Sequence, residues 1–266
     1  MDRTDSKPDD DSKSVIYFHR AYKTVGPSAA KYSLTKILIL MGLLDVVIIL
    51  FYSYIIDFMI RTSQTLLWYL NIHSTVVHWP YLFRDVDILD NNAPFPGPLF
   101  SVIVCVVSII TVFFLFYWER LWRPLAIWLG YVSLINTISA AFFILWPHLF
   151  PYLIVDFSSL YVHTELGIWI FIPIILGLAL HHLPSNTGEK FFLTFFILIY
   201  SIIFGTIRYI LFLYILYKGS FIFMAALYFA FGPFFDFIYI VGFYSIYVSK
   251  LAIAHKFSLV KWRWLF

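Results

Sequence analysis

Long apolar stretches separated by short polar ones make up most of this chain. Leu, Ile, Val, Phe and Tyr fill residues 36–60, 98–118, 124–146, 165–182, 191–217 and 220–249 almost without interruption. A helix needs roughly 20 apolar residues to cross the hydrocarbon core of a bilayer. The pattern therefore predicts six spanning helices, the last two long enough to tilt. The fold class expected is all-α, a polytopic membrane helix bundle at 36–250, flanked by a polar leader at 1–35 and a basic aromatic tail at 251–266. The first residues, 1–14, are rich in Asp and Lys and are expected to be disordered. They lack the basic start, short apolar run and small-residue cleavage site of a signal peptide.

Composition agrees with the pattern. The 266 residues are 62% hydrophobic, 22% aromatic and only 12% charged, which excludes an ordinary soluble domain. A multi-pass protein of the plasma (inner) membrane follows, with the lipid bilayer as its first partner. Basic residues set the orientation. Seven Lys or Arg precede or begin the first span, Arg120, Arg123 and Lys190 follow in alternate turns, and Lys250, Lys256, Lys261 and Arg263 close the chain. The other loops hold only Arg61, Arg84 and Lys218. The positive-inside rule then places both termini in the cytoplasm. The net charge of +3 is thus a topology signal and no indication of nucleic acid. Lys261-Trp262-Arg263-Trp264 reads as an interfacial anchor on anionic lipid. The single cysteine, Cys105, excludes an intramolecular disulfide and a Cys-based zinc site, and reads as a small core residue.

Two outward segments carry candidate chemistry. In the first, near 62–92, the spacing of Leu66, Leu67 and Leu70 predicts an amphipathic stretch lying along the membrane and ending near Pro80. The acidic residues Asp85, Asp87 and Asp90 then read as a solvated turn, because a calcium loop's glycine and distal Glu are absent. The second, 147–164, contains His148, Asp156, Ser158, Ser159 and His163. These are the residue types of a serine hydrolase, yet no Gly-x-Ser-x-Gly turn organises them. The four outer histidines show no metal-ligand spacing, so neither a metal nor a cofactor is expected.

The membrane-embedded charges are more informative. Arg208 is the only charge in the twenty-seven residues of 191–217. A guanidinium in a bilayer costs about 2.5–3.5 kcal/mol on insertion scales and so faces a protein interior and a partner. Glu165, at the outer start of the fourth span, and Asp236, inside the sixth, are placed to be that partner. Arg208 lies about 14 Å below the outer end of its helix at 1.5 Å per residue. Ser201, Gly205 and Arg208 share one face, as do Gly232, Asp236 and Tyr239, and small residues there permit close packing. Gly232-Pro233 predicts a kink that frees carbonyls just above Asp236. Asp45 and Asn136 add polar groups to two other spans.

His163-Thr164-Glu165-Leu166-Gly167, then about forty residues, then Gly205-Thr206-Ile207-Arg208-Tyr209-Ile210 resembles the exosortase/archaeosortase pattern. That family comprises polytopic membrane transpeptidases or proteases that recognise a sorting tail made of a short motif, a spanning helix and a basic cluster. Its pattern reads Cys-Thr/Ser-Gly, then Asn-x-x-Arg, then a His or Arg in the last span. The resemblance covers 71–247 in layout and the last three spans in motif. Thr164 or Glu165 stands where the resemblance implies the nucleophilic Cys, Gly205 where it implies Asn, and Asp236 near the third catalytic position. Only Arg208 carries over, so Arg208, Thr164, Glu165 and Asp236 are the candidate catalytic residues. A threonine hydroxyl lacks the reactivity of a thiolate and would need a strong neighbouring base.

Three readings follow. The first is an exosortase-like protein without the thiol, binding a membrane-embedded sorting tail or a lipid-linked substrate in protein sorting or surface-polymer export. The second is a transporter or ion-pathway subunit that uses the buried charges. The third is a non-catalytic assembly subunit that meets other membrane-complex subunits. An outward groove with Arg208 at its base favours the first; Arg208 sealed against a carboxylate favours the third.

Overall fold

Helix α1 (Pro27–Tyr69) buries a stripe at helical spacing, Ile37, Met41, Leu44, Ile48, Tyr52, Ile56, Met59, Ser63 and Leu67, against α4 and α5. This computed structural model describes residues 27–81, 83–117, 123–181, 183 and 185–255. The stripe continues to Leu67, so α1 runs well past the expected end of the first span. Leu66 and Leu70 are the exposed side of that same end, and no separate amphipathic segment lies along the membrane at 62–69.

Beyond α1 the chain forms a β-hairpin where only a loop was expected. Strands β1 (Ser74–Trp79) and β2 (Val86–Asn91) pair antiparallel, from Ser74 opposite Asn91 to Trp79 opposite Val86. Val76, Val77, Val86 and Ile88 are the β-branched residues that suit such a ribbon. Two strands alone are barely stable in water. Here β2 gains its support from the bundle, burying Val86, Ile88, Leu89 and Asn91. Ser158 Oγ donates to the Leu89 carbonyl at 2.7 Å, and the Leu89 amide donates to Tyr209 Oη at 3.3 Å. Asn91 Nδ2 donates to the Leu213 carbonyl at 3.1 Å. Tyr52 on α1 accepts from the Arg84 amide in the hairpin turn at 2.9 Å. The hairpin is therefore a roof over α1, α4 and α5. Of the acidic residues read as a solvated turn, only Asp85 lies in the turn; Asp87 and Asp90 belong to β2. Asp87 meets His78 Nδ1 across the ribbon at 2.5 Å, and burial pushes the Asp90 carboxyl above its usual range.

α2 (Pro98–Tyr117) and α3 (Arg123–Leu145) pack chiefly on each other, and α3 also meets α6. A 3-10 turn at Pro147–Leu149 leads to α4 (Ile154–Leu180). α4 starts eleven residues before the expected position at Glu165, because its polar first turns are satisfied in place. Asp156 Oδ2 accepts from the Leu153 amide at 2.8 Å, Ser158 reaches β2, and Thr164 Oγ1 bonds back to the Leu160 carbonyl. α5 (Thr187–Lys218) returns, and the sixth apolar run divides into α6 (Met224–Phe231) and α7 (Pro233–His255). The expected kink at Gly232-Pro233 is a full break: Pro233 has no amide to donate, and Gly232 leaves the helical conformation with ψ −119°.

Among the described residues, with α6 and α7 counted together, six helical segments are long and apolar enough to cross a membrane. The chain is thus an all-α membrane-type bundle with one small ribbon, a multi-pass integral protein by the character of its helices. Residues 1–26, 118–122 and 256–266 lie outside the described residues, and with them most of the expected leader and tail, the anchor motif and most of the basic residues behind the orientation.

Candidate functional site

Arg208 sits on the buried face of α5 with Ser201 and Gly205, as their spacing predicts, and is only 5% exposed. A guanidinium carries five N–H donors, and each has an acceptor. Nε donates to Tyr161 Oη at 3.0 Å. Nη1 donates to the carbonyls of Phe231 at 3.3 Å and Gly232 at 2.9 Å. Nη2 donates to Glu165 Oε1 and, at 2.7 Å, to Asp236 Oδ2. The Tyr161 and Phe204 rings each lie 5.6 Å from the guanidinium carbon and add cation–π attraction. The side chain is saturated.

Every element around Arg208 is positioned by local sequence. The two carbonyls lie at the α6–α7 break, where the end of α6 leaves the Phe231 carbonyl turned toward Arg208 and the Gly232 carbonyl accepts from both Arg208 and the Phe235 amide. Glu165 lies about 16 Å along α4 from its start at 1.5 Å per residue, so it is deep in the bundle and level with Arg208. This corrects the expected placement of Glu165 at the outer boundary. Tyr161, one turn before Glu165 on the same face, accepts from Arg208 and donates to the Gly205 carbonyl at 2.8 Å. Sequence reasoning missed Tyr161, because the helix start had been placed after it. An ideal Cβ on Gly205 would land 2.6 Å from Glu165 Oε2, so glycine is what lets that carboxylate lie against α5. Tyr239, beside Asp236 on α7, gives its proton to Ser201 Oγ at 2.6 Å.

Thr164 stands apart from this cluster. Its hydroxyl meets the Leu160 carbonyl at 2.8 Å and Tyr228 Oη at 2.7 Å, and Arg208 is not among its partners. The structure therefore brings together Arg208, Glu165 and Asp236 but leaves out Thr164. No base activates the threonine: its neighbour Glu165 is turned toward Arg208, and His163 Nδ1 lies 2.6 Å from the Ser159 carbonyl. Of the serine-hydrolase residues, Ser159 Oγ lies 3.4 Å from His163 Nδ1, but that nitrogen is nearer the Ser159 carbonyl. Ser158 is bonded to β2 and Asp156 caps α4, so the set is not assembled as a triad. Among the described residues no group of three or more His, Cys, Asp or Glu is arranged to hold a metal ion.

Tyr228 leads to a different feature. It lines a cavity of about 840 Å³ between α3, the chain at 149–152, α4 and α6. Ile138, Phe142, Phe143, Phe150, Phe157, Leu160, Phe221, Met224 and Phe229 form walls that are almost wholly apolar. Ile138, Leu149, Tyr152, Leu160 and Phe229 are all more than 45% exposed, so the cavity opens on the surface of the bundle. Asp156, Ser139, Tyr152 and Tyr228 are its few polar members. The sequence reading did not foresee it, because its lining comes from four separated segments with no shared motif.

No protein-family model, curated protein or solved structure matches this chain.

Proposed function

We propose that this chain is a non-catalytic membrane protein, exosortase-like only in its layout because Arg208 is sealed against two carboxylates, which holds the apolar chain of a lipid-linked molecule in the cavity between α3, α4 and α6. The cavity is the observation that carries this reading. Its volume of about 840 Å³ falls in the range of ligand sites. A spanning helix 30 Å long and 10–12 Å wide occupies roughly 2,400–3,400 Å³, so a tail helix does not fit, whereas a single acyl or prenyl chain does. Size therefore favours a lipid-linked substrate over a sorting tail. The Tyr228–Thr164 hydroxyl pair would meet the first polar atoms of such a molecule.

Arg208 has a structural part in this reading. With five donors committed it cannot take up a substrate without losing a bond it already makes. Gly205 and Glu165, which stand where the resemblance implies Asn and Cys, fill each other's space and replace a catalytic pair with a clamp. The role we assign is handling of a lipid-linked molecule in surface-polymer export at the plasma membrane, alone or within a larger complex.

The test is to purify the protein in mild detergent, extract what it retains, and repeat this with Ala225→Trp, which fills the cavity from α6. Wild type should retain a stoichiometric lipid or polyprenyl species, and the variant should lose it while keeping its melting temperature. Equal retention by both, or none by wild type, ends the proposal.

A further inference from the structure

The clamp around Arg208 does not balance. It contains one guanidinium and two carboxylates, closed off from solvent at 5%, 1% and 1% exposure. Each carboxylate uses one oxygen on Arg208, and the other is buried without a partner: Glu165 Oε2 and Asp236 Oδ1. Arg208 cannot serve them, because none of its donors is left. The Tyr161 hydroxyl, placed to donate to the Gly205 carbonyl, and the Tyr239 hydroxyl, placed to donate to Ser201, stand beside Glu165 and Asp236 respectively. Oε2 lies against Gly205, where any side chain would displace it. A surplus negative charge inside a membrane protein carries a large desolvation cost unless something neutralises it.

We infer that Glu165 and Asp236 together bind one univalent cation beside Arg208, held by the two carboxylate oxygens that the arginine leaves free. Its source is either a proton or an alkali ion such as sodium; both supply the single positive charge that is missing. A divalent ion would overshoot the balance and would find only two carboxylates. The ionisable groups facing the site are Tyr161 and Glu165 on α4, Arg208 on α5, and Asp236 and Tyr239 on α7, while the α6 end contributes only the Phe231 and Gly232 carbonyls. The same carboxylates hold Arg208, which in turn holds the α6–α7 break, so occupancy of the site bears on how those two helices meet.

The experiment uses the full chain in lipid nanodiscs and reads two signals. Infrared spectra are recorded for wild type, Glu165→Gln, Asp236→Asn and, as a control for the other membrane carboxyl, Asp45→Asn. Melting temperatures are then compared in sodium and choline chloride at equal ionic strength. A bound proton gives a carboxylic-acid carbonyl band in wild type that survives Asp45→Asn and is lost completely in Glu165→Gln or Asp236→Asn. Bound sodium gives no such band but a sodium-dependent rise in melting temperature that both neutral variants abolish. Wild type showing neither signal overturns the inference even if the variants fail to fold. A band or sodium response lost only in Asp45→Asn overturns it as well.

Discussion

Arg208 and Lys190 are both buried cations on α5, at 5% and 1% exposure, yet the bundle neutralises them by different means. Arg208 lies in the middle of its helix, where its neighbours are other helices, and it draws in two carboxylates, a tyrosine and two carbonyls. Lys190 lies in the first turn of α5 and reaches back to the end of α4, where Nζ donates to the Leu183 carbonyl at 2.8 Å and to the His181 carbonyl at 3.5 Å. Those carbonyls lie at and just beyond the negative end of the α4 dipole. A helix terminus can therefore hold a cation with backbone alone. At mid-helix the backbone is already paired, and counter-charges must come from side chains. The α6–α7 break is an intermediate case: it creates a helix end in the middle of the bundle and so presents two carbonyls to Arg208.

This contrast can be tested by removing each cation in turn. Arg208→Leu should have the largest effect, since it strands two buried carboxylates; stability should fall by about 3–5 kcal/mol in a denaturant titration in micelles. If it proves as mild as a surface change, the clamp account of Arg208 is wrong. Next, Tyr161→Phe removes the hydroxyl that both receives Nε and satisfies the Gly205 carbonyl. It should cost about 1–3 kcal/mol. Lys190→Met should cost less, about 0.5–1.5 kcal/mol, because the end of α4 lies beside the inter-helix turn, where water can replace the lost donor. A loss equal to that of Arg208→Leu would erase the distinction between the two sites. A last pair concerns glycines, and its second member has the smallest effect. Gly205→Ala collides with a fixed carboxylate oxygen and should cost about 1–3 kcal/mol, whereas Gly177→Ala meets the flexible Met41 side chain at 3.0 Å and should change the melting temperature little.

The spans and the buried trio were legible in the sequence because both rest on residue chemistry that holds wherever the chain goes. A twenty-seven-residue apolar run must be covered by lipid or protein, and a lone Arg within it must find acceptors. Gly232-Pro233 also announced its break and the carbonyls it frees. What stayed hidden depended on tertiary context. The start of α4 was obscured by Asp156, Ser158, Ser159 and His163, polar residues that read as a loop until β2 is present to accept from Ser158. Misplacing that start hid Tyr161 and moved Glu165 to the wrong depth. The hairpin was missed because Leu66, Leu67 and Leu70 carry a helical signal into the segment before it, and its buried strand depends on Tyr209 and Leu213, far along the chain.

That separation has a consequence for how the protein is made. The hairpin emerges between the first and second spans, yet its hydrogen-bond partners in α4 and α5 lie 69 to 122 residues further on. During synthesis it leaves the ribosome before its seat exists. The strands that roof the finished bundle must wait outside the hydrocarbon core, their backbone groups bonded to water, until four more crossings have been threaded. Closing the roof is then a late step of assembly, and it draws the first helix against the fourth and fifth.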